Sequence, residues 1–353
     1  MTQEHGGIGA TSPRSRPRLI DVAERSGVTK SVVSRIMNAD PTLRTRPETR
    51  ERVLEIAREL GYRPHAGARA LSVARTGTLA FLIPDLTNTV YSTILRGAIR
   101  RASELSYVVL IAEDAAESPA GANEYADLVS TGRVDGLLVG SARPDSPLLA
   151  SLAGDSRSIA HVFVNREVPG SGRNVGLDIA GAAALVVDYL HAQGHTEIGL
   201  VSGPLELQPA RSRIAGFQAR MEALGLDGSR VRTGPFNETG GHGAATELLG
   251  AHPELTAVFG STFGQSLGCL KAVTRLGLSV PGDVSVIGYD DLPAADFLIP
   301  SLTTVAMPLD QLGVAAVDAL VAQIEGADPA DVTVTGGSHV VERNSVGPAR
   351  ARA

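Results

Sequence analysis

From Thr78 onward the chain alternates short, wholly apolar runs with helix-length segments: TLAFLIP, YVVLIA, DGLLVG and AHVFV come first, then EIGLVS, TAVFGS and DVSVIGYD. A strand with one wet face alternates apolar and polar residues, so a run of four to six apolar residues must be buried on both faces. Separated by helices, such runs predict parallel strands covered above and below, and their number predicts two doubly wound lobes. Ligands of such sheets bind beyond the carboxyl ends of the strands. That rule selects Asp85–Tyr91, Asn165 and Arg166, Asp178, Ser261–Gln265, and Asp290 and Asp291 as candidate site positions.

The first 75 residues carry a different charge. They hold 14 Lys and Arg against 8 Asp and Glu, whereas the remaining 278 hold 18 against 30, so the net charge of −6 conceals a basic head on an acidic body. A basic head suits a nucleic-acid partner, and equally a solvated basic arm. At 353 residues and 43% hydrophobic, the chain can bury the cores of two or three domains. No apolar run approaches the roughly 18 residues of a membrane span, and the first twenty residues lack the apolar stretch of a secretory signal. One cysteine, Cys269, excludes an intramolecular disulfide. The expected compartment is the cytoplasm, with no membrane partner.

Residues 1–17 are rich in Gly, Ser, Pro and Arg and are expected to form a disordered arm. Leu19, Val22 and Ala23 have helical spacing, Ser26 and Gly27 interrupt it, and Val32, Val33, Ile36 and Met37 resume it. Two short helices around a tight glycine turn are the helix-turn-helix arrangement, with Thr29 as N-cap of the second and Lys30, Ser31, Ser34 and Arg35 on its polar face. A third helix is predicted from Pro47 to Leu60, closed by Gly61. Such hairpins also occur in proteins that do not bind DNA.

The runs RLIDVAERSGVTKSVVSRIMN and TRERVLEIARELGYRP resemble, in spacing and order, the head of the lactose-repressor and purine-repressor (LacI/GalR) family of transcription regulators. The resemblance implies a DNA-binding domain over residues 18–63, in which Lys30, Ser31 and Arg35 read base edges while Thr29, Asn38, Thr49 and Arg50 hold phosphates. Residues 64–76 resemble the family's hinge, with Leu71 as a minor-groove wedge. Arg46 stands where the family places a Ser or Thr cap, and His65 and Gly67 depart from the hinge pattern.

The same resemblance extends through PDLTNTVYSTILRGA, VDGLLVG, HAQGHTEIGLVSGP, ARSRIAGF, DVSVIGYDD and PSLTTV. It implies a two-lobed, periplasmic-binding-protein-like effector-binding and dimerisation domain over residues 77–345, ahead of a short tail at 346–353. The implied fold class is an all-α helix-turn-helix head plus an α/β body with parallel doubly wound sheets. Carried over position by position, the effector cleft is lined by Thr89, Tyr91, Asn165, Arg166, Arg213, Phe236 and Asp290. A guanidinium and a carboxylate can each engage two adjacent hydroxyls, which singles out Arg213 and Asp290. A surface arginine, a turn-capping carboxylate and a core aromatic are the ordinary alternatives for Arg213, Asp290 and Phe236. Where relatives carry an Asn-Asp pair this chain reads Thr262-Phe263, implying an effector less hydroxylated than a hexose, one stacked on Phe263, or none.

The expected function is repression from a pseudo-palindromic operator by a homodimer whose affinity a sugar-like effector controls. The alternatives are a solute-binding protein or an α/β enzyme of sugar metabolism. No cofactor, metal or catalytic residue is expected: GGHGAA reads as a glycine-rich loop, no G-x-S-x-G elbow is present, and the histidines lack ligand spacing. The tail has no leucine heptads, so no coiled-coil tetramer is expected.

Overall fold

The computed structural model describes residues 17–38, 40, 42–62, 75–113, 132–141, 149, 152 and 159–350. The chain divides into two compact units, residues 1–76 and 77–353. The expected arm up to residue 16 and most of the expected hinge, Leu71 included, lie outside the described residues.

The first unit contains α1 (Leu19–Ser26), α2 (Lys30–Met37) and α3 (Pro47–Leu60). Gly27 and Gly61 sit at φ +69° and +67°, the left-handed conformation that ends α1 and α3 and that a Cβ disfavours. Thr29 caps α2, its hydroxyl accepting the Val32 amide at 3.4 Å. Val22, Val33 and Val53, one from each helix, are fully buried at the centre of a small core with Ala23, Ile36 and Ala57.

In the second unit the apolar runs are parallel strands, and all but one are buried as their composition predicts; YVVLIA forms an edge strand whose Val108, Leu110 and Ile111 are exposed, contrary to that expectation. The first sheet contains β1 (Thr78–Ile83), β2 (Val108–Glu113), β3 (Gly136–Val139), β4 (His161–Val164), β5 (Asn174–Leu177) and, late in the chain, β11 (Val332–Val334). Its order is β11-β5-β4-β3-β1-β2, all parallel. The second contains β6 (Ile198–Ser202), β7 (Val231–Thr233), β8 (Ala257–Gly260), β9 (Ser285–Tyr289), β10 (Thr303–Ala306) and β12 (His339–Val341). Its order is β12-β10-β9-β8-β6-β7, with β12 antiparallel to β10 at the edge. Both sheets reverse order beside their first strand, at β1/β3 and β6/β8, which opens a crevice at the carboxyl end of each.

Helices cover these sheets: α4 (Val90–Glu104), α5 (Ile179–Ala192), α6 (Gln208–Ala223), α7 (Glu238–Ala251), α8 (Phe263–Arg275) and α9 (Leu309–Ile324). GGHGAA lies inside α7, not in a loop; its apolar neighbours Ala244, Ala245 and Leu248 are buried, so packing outweighs the weak helix propensity of glycine. Cys269 is buried in α8, and burial pushes its thiol up to about 12. The chain crosses between lobes at Asp178, again before α9, and a third time between β11 and β12. Because α9 follows a strand of the second sheet yet packs on the first, its contact with α4 ties the chain's return to the first lobe.

That contact is held by reciprocal glycines. A Cβ on Gly97 would meet the Asp310 carbonyl oxygen at 2.0 Å, and one on Gly313 would meet that of Ile94 at 2.0 Å. The close approach lets Arg100 bind Asp310 through two hydrogen bonds of 3.0 and 2.6 Å. Gly313→Ala forces the helices apart and is expected to destabilise the chain by about 1–3 kcal/mol, the usual cost of overpacking. Gly243→Ala in α7, where the new methyl meets nothing within 4 Å, is expected to leave stability equal or higher by about 0.5–1 kcal/mol. Urea unfolding of both variants checks the contrast.

Candidate DNA-reading face and effector cleft

Lys30 and Ser31 form the exposed first turn of α2, and Arg35 lies four residues beyond Ser31, on the same side of the helix. Thr29 starts this helix and Asn38 ends it. Thr49 and Arg50 occupy the first turn of α3, where Thr49 borders an open groove with Leu43, Arg44, Thr45 and Arg46. Ser31 and Arg35 thus share one helix face with Lys30 at its margin, and Thr29, Thr49 and Arg50 sit at helix N-termini, where free N–H groups favour anions, whereas Asn38 sits at the C-terminal end of α2. Sequence spacing did not reveal one contact: Arg35 Nε donates to Asp40 Oδ2 at 2.7 Å and its Nη2 to the Thr42 hydroxyl at 2.8 Å. The bond from Arg35, followed by those from Thr42, holds the Asp40 carboxyl down at about 2.

In the second unit, segments that follow the strands of both sheets converge on one narrow cleft. Tyr91, Asn165 and Arg166 line it from the first lobe, and Arg213, Phe236, Thr262, Tyr289 and Asp290 from the second. Asp290 is 2% exposed and Arg213 7%. Burial raises the Asp290 carboxyl to about 6, against the opposing pull of Arg213. The Arg213 guanidinium lies 4.2 Å from the centroid of the Tyr289 ring and 5.8 Å from that of Phe236, and its Nε has no hydrogen-bond partner among the described residues. Phe236 in turn lies across Gly203 at the end of β6, where a Cβ would meet the ring at 2.1 Å. Asn165 and Asp290 both adopt positive φ, +57° and +68°, and their amides bond to the neighbouring strand at Val175 and Val305. Asn and Asp tolerate this conformation better than other side chains, and strain of this kind collects at binding sites.

Two sequence candidates are placed elsewhere. Thr89 is exposed at the start of α4, and its neighbours Asn88, Val90 and Tyr91 face the cleft instead. Phe263 is no stacking surface: it is buried in the apolar core of the second lobe with Leu249, Val286 and Leu302, because α8 begins there and turns it inward. Thr262 reaches the cleft, but its hydroxyl already caps α8 by accepting the Gln265 amide at 3.1 Å. Asp178 likewise caps α5, accepting the Gly181 amide at 2.8 Å. The Tyr91 hydroxyl donates to the Gly140 carbonyl at 2.9 Å and is pushed up by burial, so it shapes the wall. Tyr289 was missed; as the last residue of a wholly apolar run it reads as core, and its position one residue before Asp290 was the available signal.

Residues 18–65 match the family of bacterial regulatory proteins, lacI family, and residues 187–346 match a periplasmic binding protein-like domain. The chain is 35% identical to the ribose operon repressor of Escherichia coli (strain K12) over 86% of its length and 92% of that protein's. It is 33% identical to the HTH-type transcriptional repressor CytR of the same organism, over 87% and 89%. The lac repressor dimer bound to operator and the anti-inducer ONPF superposes with a TM-score of 0.81 at 26% identity, over 94% of this chain and 100% of that one. The chain belongs to the LacI family. It is a DNA-binding transcriptional repressor and not an enzyme, and its LacI head is built of α1–α3.

In this LacI-family body, the ionisation of Asp290 is coupled to folding. Its folded-state value of about 6 lies above the roughly 3.9 of an unfolded aspartate, so between the two the native state holds the extra proton. The contribution of Asp290 therefore favours the fold below about pH 4 and is lost as pH rises through about 6. Asp290→Asn cannot ionise, and its stability relative to the parent chain is expected to rise from pH 4 to pH 7 in urea titrations. The opposite slope would show that attraction to Arg213 outweighs burial.

Proposed function

We propose that this chain represses transcription as a homodimer on a pseudo-palindromic operator, and that a sugar-like effector in the interlobe cleft sets its affinity for DNA. The observation that carries the reading is the buried Arg213–Asp290 pair: a guanidinium with a free Nε and a carboxylate face one cleft, beside the aromatic face of Phe236. Vicinal hydroxyls donate to the carboxylate and accept from the guanidinium, while the apolar face of a sugar ring stacks on an aromatic side chain. With Phe263 in the core, that stacking role falls to Phe236. The relative with 35% identity represses a ribose operon, which accords with a sugar as the effector class.

A single helix-turn-helix buries too little surface for specific binding at cellular salt, so two heads on symmetric half-sites are needed. The second lobe offers a surface for pairing: Phe297 and Ile299 are 85% and 100% exposed, an unusual position for large apolar side chains unless a partner covers them. A repressor of this kind works in the cytoplasm, where the operator is. An effector that prefers one arrangement of the lobes shifts the spacing of the paired heads, and the coupling is reciprocal: operator binding changes effector affinity by the same factor.

Thermal unfolding of the full chain against pentoses, hexoses, sugar phosphates, nucleosides and polyols tests this reading. A ligand at 100 times its dissociation constant adds about 2.7 kcal/mol, and Arg213→Ala or Asp290→Ala should abolish the shift while operator binding persists. If no member of the panel shifts unfolding, or if a bound ligand leaves operator affinity unchanged, effector control through this cleft is refuted. Phe297→Asp with Ile299→Asp is expected to yield monomers by sedimentation and to cost most of the operator affinity.

A further inference from the structure

A carboxylate among the DNA-reading residues calls for explanation, because it repels the phosphates that the head must approach. Asp40 is such a group, and the hydrogen-bond pattern around it says what it does. Its Oδ2 accepts Arg35 Nε at 2.7 Å, and its Oδ1 accepts the Thr42 amide at 2.8 Å and the Thr42 hydroxyl at 2.7 Å. The Thr42 hydroxyl then accepts Arg35 Nη2 at 2.8 Å, which closes a ring of three side chains. The Asp40 amide bonds back to the Arg35 carbonyl at 3.0 Å, so the segment after α2 is folded onto the helix that carries Arg35.

The edge of the guanidinium that this ring consumes is the informative part. Arginine has five N–H groups in a fixed plane. Here the Nε edge is spent on Asp40 and Thr42, whereas the outer N–H of Nη1 and the outer one of Nη2, at the tip, have no partner among the described residues. Those tip donors are the parallel pair that matches guanine O6 and N7. A free arginine side chain can instead reach the nearest phosphate, which carries no sequence information.

We propose that Asp40, with Thr42, is a positioning residue for base reading: it holds the Arg35 guanidinium end-on to the major groove and withholds it from the phosphate backbone. This rests on the reading of Arg35 as a base contact. Asp40 touches no base itself; it converts a mobile cation into an oriented fork. Its carboxyl stays ionised throughout the physiological range, so the ring does not open with pH.

The test uses the full chain and the operator that it selects from a randomised duplex pool. Arg35→Ala identifies the base pair whose identity depends on Arg35. Affinities of Asp40→Ala, Asp40→Asn and Thr42→Val are then measured on that operator, on its variants at that base pair and elsewhere, and on random duplex. Asp40→Ala is expected to lower discrimination at the Arg35-dependent base pair by about tenfold, the scale of one bidentate contact, and to leave the other positions unchanged. Affinity for random duplex should rise, with a steeper salt dependence, as Arg35 is released to the phosphates. Thr42→Val, which keeps the carboxylate bond, is expected to give a smaller loss at the same position, and guards against a fold defect in Asp40→Ala. Unchanged discrimination at that base pair in Asp40→Ala overturns the proposal, and so does tighter operator binding with discrimination intact, which would make Asp40 a competitor of the DNA. If Arg35→Ala alters specificity nowhere, it is the base-reading role of Arg35 that fails, and the proposal falls with it.

Discussion

The body depends on one constraint: its central strands are buried on both faces. β1, β3 and β4 in the first lobe and β6, β8 and β9 in the second have nearly every residue inaccessible. A parallel strand cannot be joined to its neighbour by a tight turn, so each strand requires a covering helix, and every strand-to-helix segment emerges on the same side of its sheet. Polar side chains excluded from the interior collect at those ends. Tyr91, Asn165, Arg213, Phe236 and Asp290 come from five different connections and meet because two sheets present their carboxyl ends to one crevice.

This explains what was legible in the sequence. The strand runs announce themselves by composition, and the rule of the strand ends picks Asn165, Arg166 and Asp290 without knowledge of the fold. Phe263 was misplaced because the same rule cannot say which way the first residue of a helix points: α8 starts at that residue, its cap at Thr262 sets the entry angle, and the ring turns into the core. Thr89 fails by one residue for a similar reason, since α4 begins just after it and rotates Tyr91 inward. GGHGAA, read as a loop because it has no phosphate-loop spacing and follows no clear strand run, is helical, and the close approach of α7 and α8 at Gly241 and Gly268 prevails over the weak helix preference of glycine. The Arg35–Asp40–Thr42 ring was beyond reach of any periodicity argument, because it joins a helix to the irregular segment after it.

Two aspartate–arginine partnerships, one in each unit, show how much the surroundings decide. Asp40 and Asp290 each sit near an arginine, yet Asp40 is held at about 2 and Asp290 is raised to about 6. The difference lies in hydrogen bonds and water. Asp40 is reached by solvent and accepts bonds from Arg35 and Thr42, all of which favour its charged form. Asp290 is buried, and the attraction of Arg213 offsets only part of the desolvation. The first is a permanent charge suited to holding a side chain in place. The second is a buried carboxylate whose hydrogen-bonding capacity is left to whatever enters the cleft, and a ligand hydroxyl that donates to it supplies what Asp40 obtains from Thr42. If the proposed effector binds here, its binding and the ionisation of Asp290 are one coupled equilibrium, in which a ligand hydroxyl that donates to the carboxyl draws it back toward its charged form and tightens its attraction to Arg213.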